Sequence, residues 1–180
     1  MILVIDMNWK KDSLGYYEFV MPIIDTIRDL DDFNVRHFTE VITEDLNQCS
    51  RVVLSGTPLR DIGTLNQPEK FHWIEEIEKP VLGICAGMQT IGVMFGARLE
   101  KKLEIGMTNI NTVRDNRLFS GGYQAYSLHS YCVGEVANFE VLAESAMCIQ
   151  AIKHKDKEIF GVLFHPEVRN RSILKAFAAM

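Results

Sequence analysis

Apolar positions along the chain change rhythm twice. The opening run Ile2-Leu-Val-Ile5 is unbroken and stops at Asp6, the pattern of a strand covered on both faces. Tyr17, Phe19, Val20, Ile23, Ile24, Ile27 and Leu30 then recur at three-and-four spacing, which predicts an amphipathic helix with Ser13 as a candidate cap. Pro22 lies inside that pattern and either kinks the helix or marks its true start. Val35–Phe38 and Val52–Leu54 read as further strands, the second running into the loop Ser55–Asp61 with its glycine and proline. Helical residues around Phe71–Ile77 lead through Pro80 to the strand Val81-Leu82.

Beyond about residue 98 the pattern turns to short alternating segments (Met107–Val113, Tyr123–Leu128, Val141–Ala143, Ile149–Ile152, Ile159–Phe164), followed by a last helix near Ser172–Ala178. Strands alternating with helices predict an α/β domain built on a mostly parallel sheet. Residues 1–180 form one domain, with no linker, repeat or low-complexity stretch.

In open parallel sheets, reactive groups collect beyond the carboxyl ends of strands. Three segments end strands in this way: Ser55–Asp61, Gly83–Gln89 and His165–Glu167. Gly83-Ile-Cys85-Ala-Gly87 has the form of a nucleophile elbow with cysteine in the serine position. The small neighbours let strand and helix meet closely, and the helix start favours a thiolate. A small buried cysteine before a glycine-rich helix is the competing reading of those five residues. A thiolate needs a base, and the base an orienting group. Of the five histidines, His37, His72 and His154 read as surface positions. His165 ends an apolar run, and Pro166 then turns the chain so that Glu167 can reach the far ring nitrogen.

Composition narrows the classes. The chain is 47% hydrophobic and 24% charged with a net charge of −5, and its few lysine pairs make no basic face, which argues against nucleic acid as a partner. No apolar run is long enough to cross a bilayer, and Asp6 interrupts the N-terminus too early for a signal peptide. Cys49, Cys85, Cys132 and Cys148 are far apart in sequence, so reduced thiols in the cytoplasm are expected. Neither a phosphate loop nor a metal-ligand spacing is present in the sequence, and no cofactor is expected.

Gly83-Ile-Cys-Ala-Gly-Met-Gln89 together with Gly161-Val-Leu-Phe-His-Pro-Glu167 resembles the class I glutamine amidotransferase family, over nearly the whole chain. The resemblance implies a three-layer, flavodoxin-like fold, with Cys85 as nucleophile, His165 as base and Glu167 as its orienter. It implies oxyanion amides from Thr57 and Ala86, with Gly56 and Gln89 at the substrate glutamine. Leu128-His129-Ser130-Tyr131 matches a loop whose backbone holds the substrate's α-amino and carboxylate groups. Thr57 stands where the family usually has glycine. That departure raises the alternative of an amide that turns to the site only when a partner docks.

Within the family the chain most resembles the separate glutaminase subunit of archaeal-type GMP synthetases, through Leu103-Glu-Ile-Gly106 and Ile149–His154. Such a subunit hydrolyses L-glutamine and passes ammonia to a synthase partner. Met88, the Leu128–Tyr131 segment and Met7-Asn-Trp9 depart from that subfamily's pattern, all expected near the mouth of the site. Glutaminase subunits of anthranilate or aminodeoxychorismate synthases, and a non-catalytic regulatory subunit, stay open as alternatives. A thiol hydrolase of the α/β-hydrolase kind is disfavoured, because its acid precedes its histidine.

Overall fold

The computed structural model describes residues 1–180. Nine strands form one sheet in the order β2-β1-β3-β4-β9-β8-β7-β5-β6. The strands β1 (Ile2–Asp6), β2 (Phe33–His37), β3 (Arg51–Leu54), β4 (Val81–Ile84) and β9 (Ile159–Val162) run parallel. From β9 onward the pairing is antiparallel through β8 (Ile149–His154), β7 (Phe139–Glu144), β5 (Leu99–Thr112) and β6 (Gly122–Val133). The parallel half is the α/β unit predicted from the first half of the chain. The antiparallel half follows from the alternating segments beyond residue 98.

Strand periodicity sorts the core into two layers. Ile2 and Val4 face one side with Ile23, Ile24 and Ile27 of helix α1 (Met21–Ile27) and Leu174 and Phe177 of helix α5 (Arg171–Ala178). Leu3 and Ile5 face the other with Ile74 of α3 (Trp73–Glu76) and Met88 and Ile91 of α4 (Ala86–Met94). Another short helix, α2 (Thr43–Gln48), precedes β3. All five residues of β1 are buried, as a two-face strand requires. No helix is long and apolar enough to cross a membrane.

The predicted helix from Tyr17 to Leu30 is divided. A π-helical turn over Tyr16–Val20 precedes α1, and Pro22 falls in the first turn of α1. Helical backbone runs unbroken through both: Met21 N–H donates to the Tyr16 carbonyl in the wider turn, and Pro22, with no N–H to give, follows where that turn passes into the regular helix. Ser13 makes no side-chain cap; only its carbonyl accepts, from Tyr16 N–H.

Two expectations are corrected. Leu128–Tyr131 is not a loop: β6 continues through it to Val133, paired with β5 through Ile105↔Leu128, Glu104↔His129 and Lys101↔Tyr131. The pair is half solvated, so polar residues obscure its alternation in the sequence. His37 and His154 are buried, not on the surface. His37 Nε2 lies 2.8 Å from the Asn8 carbonyl, and the His154 ring packs against Phe95 and Phe139.

Candidate active site

The corner between β4 and α4 is built around Cys85. This residue sits at φ +47°, ψ −101°, a conformation that costs a non-glycine residue on the order of 1–3 kcal/mol and recurs at functional sites. The glycines on either side are sterically required. A Cβ on Gly83 would lie 2.5 Å from the Gly87 carbonyl carbon, and one on Gly87 would lie 2.7 Å from the Leu54 carbonyl oxygen. Strand and helix therefore touch backbone to backbone. Cys85 N–H donates to the Val162 carbonyl at 2.8 Å, which ties the corner to β9. Ala86 is the first residue of α4, so its N–H has no acceptor within the helix.

Just past β9 comes His165, whose N–H donates to the Tyr126 carbonyl at 2.8 Å. Its Nδ1 lies 2.7 Å from Glu167 Oε1, and both side chains are essentially inaccessible to water. Nε2 makes no hydrogen bond, and the Cys85 sulfur is close enough to act on the ring's charge. Burial alone would lower the His165 pKa. The Glu167 carboxylate and the Cys85 sulfur outweigh that and hold it well above the ordinary imidazole value. An imidazole with this bias takes and keeps a proton from a neighbouring acid.

Gly56 is placed against this pair rather than in the open pocket. A Cβ there would fall 2.5 Å from His165 Cε1. Phe19 packs beside both, 3.4 Å from the same Cβ position and 5.4 Å from the His165 ring between centroids. The thiol of Cys85 points at the Leu128 carbonyl, 3.6 Å away, and Gln89 Nε2 donates to the Tyr131 carbonyl at 2.8 Å. Thr57, Cys85, Gln89 and the Leu128–Tyr131 segment line one small cavity. The predicted residues are thus brought together from four places in the sequence.

That cavity holds only about 10 Å³ for water centres, roughly the room of one water molecule. The loop after β3 closes it: Ser130 Oγ donates to the Leu59 carbonyl at 3.2 Å. A larger hollow of about 410 Å³ beside it is lined by Trp9, Arg60 and Asn66 and shares the Asp61–Ile62 wall. Asp61 shapes this loop by accepting from Trp9 N–H at 2.7 Å and from Gly63 N–H at 2.9 Å.

Sequence reading gave no role to Asp61 or to Glu104. Glu104 Oε2 lies 2.9 Å from His129 Nε2, and Cys148 completes a group of possible metal ligands within 4.8 Å. The available signal was the placement of Glu104 between Leu103 and Ile105, opposite in polarity to its neighbours.

The family model of class I glutamine amidotransferases matches residues 15–177. A glutamine-hydrolyzing GMP synthase subunit from Methanosphaera stadtmanae is 34% identical over 145 residues, covering 76% of this chain and 74% of that one. The protein of the same name from Methanococcus maripaludis is 33% identical over 176 residues, covering 92% and 86%. The crystal structure of a Thermoplasma acidophilum protein described as a GMP synthase subunit superposes with a TM-score of 0.85 at 24% identity, over 99% of this chain and 92% of that one. The chain belongs to the class I glutamine amidotransferase family.

Proposed function

We propose that this chain is a glutaminase subunit that hydrolyses the side-chain amide of L-glutamine to glutamate and ammonia, the ammonia passing to a synthase partner. The observation that carries this reading is Cys85, held at positive φ on a backbone-tight corner with the buried His165–Glu167 pair behind it. Cys85 attacks the amide carbon as its thiol proton passes to His165, whose raised pKa favours the imidazolium. The Ala86 and Thr57 N–H groups stabilise the oxyanion. His165 then protonates the departing ammonia and, once neutral, takes a proton from the water that opens the thioester. Glu167 holds the ring in the orientation these transfers need.

The relatives named as GMP synthase subunits support GMP synthesis as the destination of the ammonia, and four free cysteines fit the cytoplasm as its place. The closed cavity supports a subunit that opens when its partner docks. The test is glutamine hydrolysis by the purified chain with and without candidate synthases. A partner-dependent rise in turnover, coupled to amination by that partner, is expected. No hydrolysis in the presence of a synthase that is active with free ammonia and binds the chain would overturn the reading.

A further inference from the structure

Between Leu103 and Met107 strand β5 is inverted with respect to polarity. Leu103, Ile105 and Met107 are 57%, 61% and 48% exposed, whereas the Glu104 side chain is 9% exposed. A carboxylate taken out of water needs donors to offset its lost hydration. Glu104 finds three. His129 Nε2 lies at 2.9 Å and Gln150 Nε2 at 2.7 Å from Oε2, and Ser145 Oγ lies 3.2 Å from Oε1. Ser145 and Gln150 flank the β7–β8 turn, so the carboxylate joins three separate stretches of chain.

The placement depends on a local irregularity in the strand. Lys101 pairs with Tyr131 and Glu104 with His129, three steps on β5 against two on β6. The extra residue is a bulge that re-aims the side chains after it, bringing Glu104 opposite His129. His129 is itself fully buried. Burial lowers its pKa despite Glu104, favouring the neutral ring. The neutral tautomer with hydrogen on Nε2 fits, since Nδ1 has no partner and an N–H there would be stranded. Because the oxygens of Glu104 already receive three N–H and O–H donors, the cluster reads as a hydrogen-bonded lock rather than as a coordination site, although Cys148 lies close by.

His129 is the one buried side chain of the Leu128–Tyr131 segment. Its neighbours carry the carbonyls that meet the Cys85 thiol and the Gln89 amide. We propose that Glu104 is a positioning residue of the glutamine site, fixing through His129 the stretch of β6 backbone that forms the pocket wall facing Cys85. The inference rests on the glutaminase reading and adds to it a residue that touches neither substrate nor thiol.

Two probes separate positioning from general damage. Labelling of Cys85, read by peptide mass mapping with the synthase partner present, is compared for the diazoketone analogue of L-glutamine and for iodoacetamide. The first needs the pocket wall; the second needs only the thiol. Glu104→Ala is expected to slow the analogue about 10- to 100-fold, as a misplacement of about 1 Å does, and iodoacetamide less than about twofold. Glu104→Gln keeps at the Oε2 position an acceptor for both His129 and Gln150, and its amide N–H can donate to Ser145 Oγ in place of the bond Ser145 now makes to Oε1, so it is expected to return the analogue rate to within about threefold of wild type. Ser145→Ala removes one donor and leaves the carboxylate, so it serves if Glu104→Ala does not fold; a loss of a few-fold confined to the analogue is expected. An unchanged analogue rate, or parallel losses with both probes, overturns the inference. A wild-type chain alkylated by iodoacetamide but not by the analogue would instead remove the glutaminase reading, and this inference with it, before any variant is compared.

Discussion

Gly83→Ala is the most informative single methyl group to add to this protein. Its Cβ would lie 2.5 Å from the carbonyl carbon of Gly87 and 2.6 Å from its oxygen, where ordinary contact begins at 3.4 Å. Both partners are backbone, so relief requires β4 and the start of α4 to separate by about 0.9 Å. Ile91 Cδ1 is equally close at 2.6 Å, but a flexible side-chain end can swing away. Overpacking of this kind costs about 1–3 kcal/mol, which leaves a folded domain. The displaced elements carry Cys85 and the Ala86 amide, and a shift near 1 Å at reacting groups costs about 10² in rate. Glutamine turnover should therefore fall about 100-fold while urea unfolding shows a loss of only a few kcal/mol. Gly122→Ala, whose Cβ would meet nothing nearer than 3.8 Å, is the matched control and should be silent in both assays. Turnover by Gly83→Ala within about threefold of wild type would refute the claim that backbone contact at this corner places the thiol.

Gly56→Ala should act on the base rather than the nucleophile, because its methyl group would meet His165 Cε1 at 2.5 Å. The expected signature is a fall in kcat of at least about tenfold with the Cys85 peptide still alkylated by iodoacetamide. Ser130→Ala removes the bond to the Leu59 carbonyl that closes the cavity. At about 1 kcal/mol for such a bond, Cys85 labelling by the glutamine analogue should speed up roughly fivefold. Stability also carries the mark of His165. Its folded pKa is raised, so its contribution is complete below the ordinary value of 6.5 and is lost as pH rises through the folded value. Urea midpoints measured from pH 6 upward should thus fall in wild type at alkaline pH. Glu167→Gln, which removes the carboxylate that raises the pKa, should show no such fall in that window.

What the sequence disclosed and what it hid follow from where each signal resides. The corner at Cys85 was legible because backbone contact permits only glycine at positions 83 and 87, a constraint that local sequence records. His165 and Glu167 were legible for a similar reason: a proline-fixed turn two residues long leaves few ways to arrange them. The Leu128–Tyr131 strand was hidden because one edge of the sheet is wet and its polar residues blur the period of two. Glu104 was hidden for a deeper reason. Its donors come from residues 129, 145 and 150, and the bulge that aims it at His129 exists only once β5 and β6 have paired. The surface assignment of His37 and His154 failed likewise, since flanking charges in sequence say little about which aromatic rings will pack around an imidazole.

Glutamine hydrolysis by wild type and Cys85→Ala side by side, with the synthase partner present, decides whether Cys85 is the nucleophile of an amide hydrolysis. Wild type should yield glutamate and ammonia in equal amounts and a γ-glutamyl adduct on the Cys85 peptide after acid quenching, and the variant neither product nor adduct, with circular dichroism and a urea midpoint near those of wild type. Undiminished hydrolysis by Cys85→Ala would rule Cys85 out as the nucleophile.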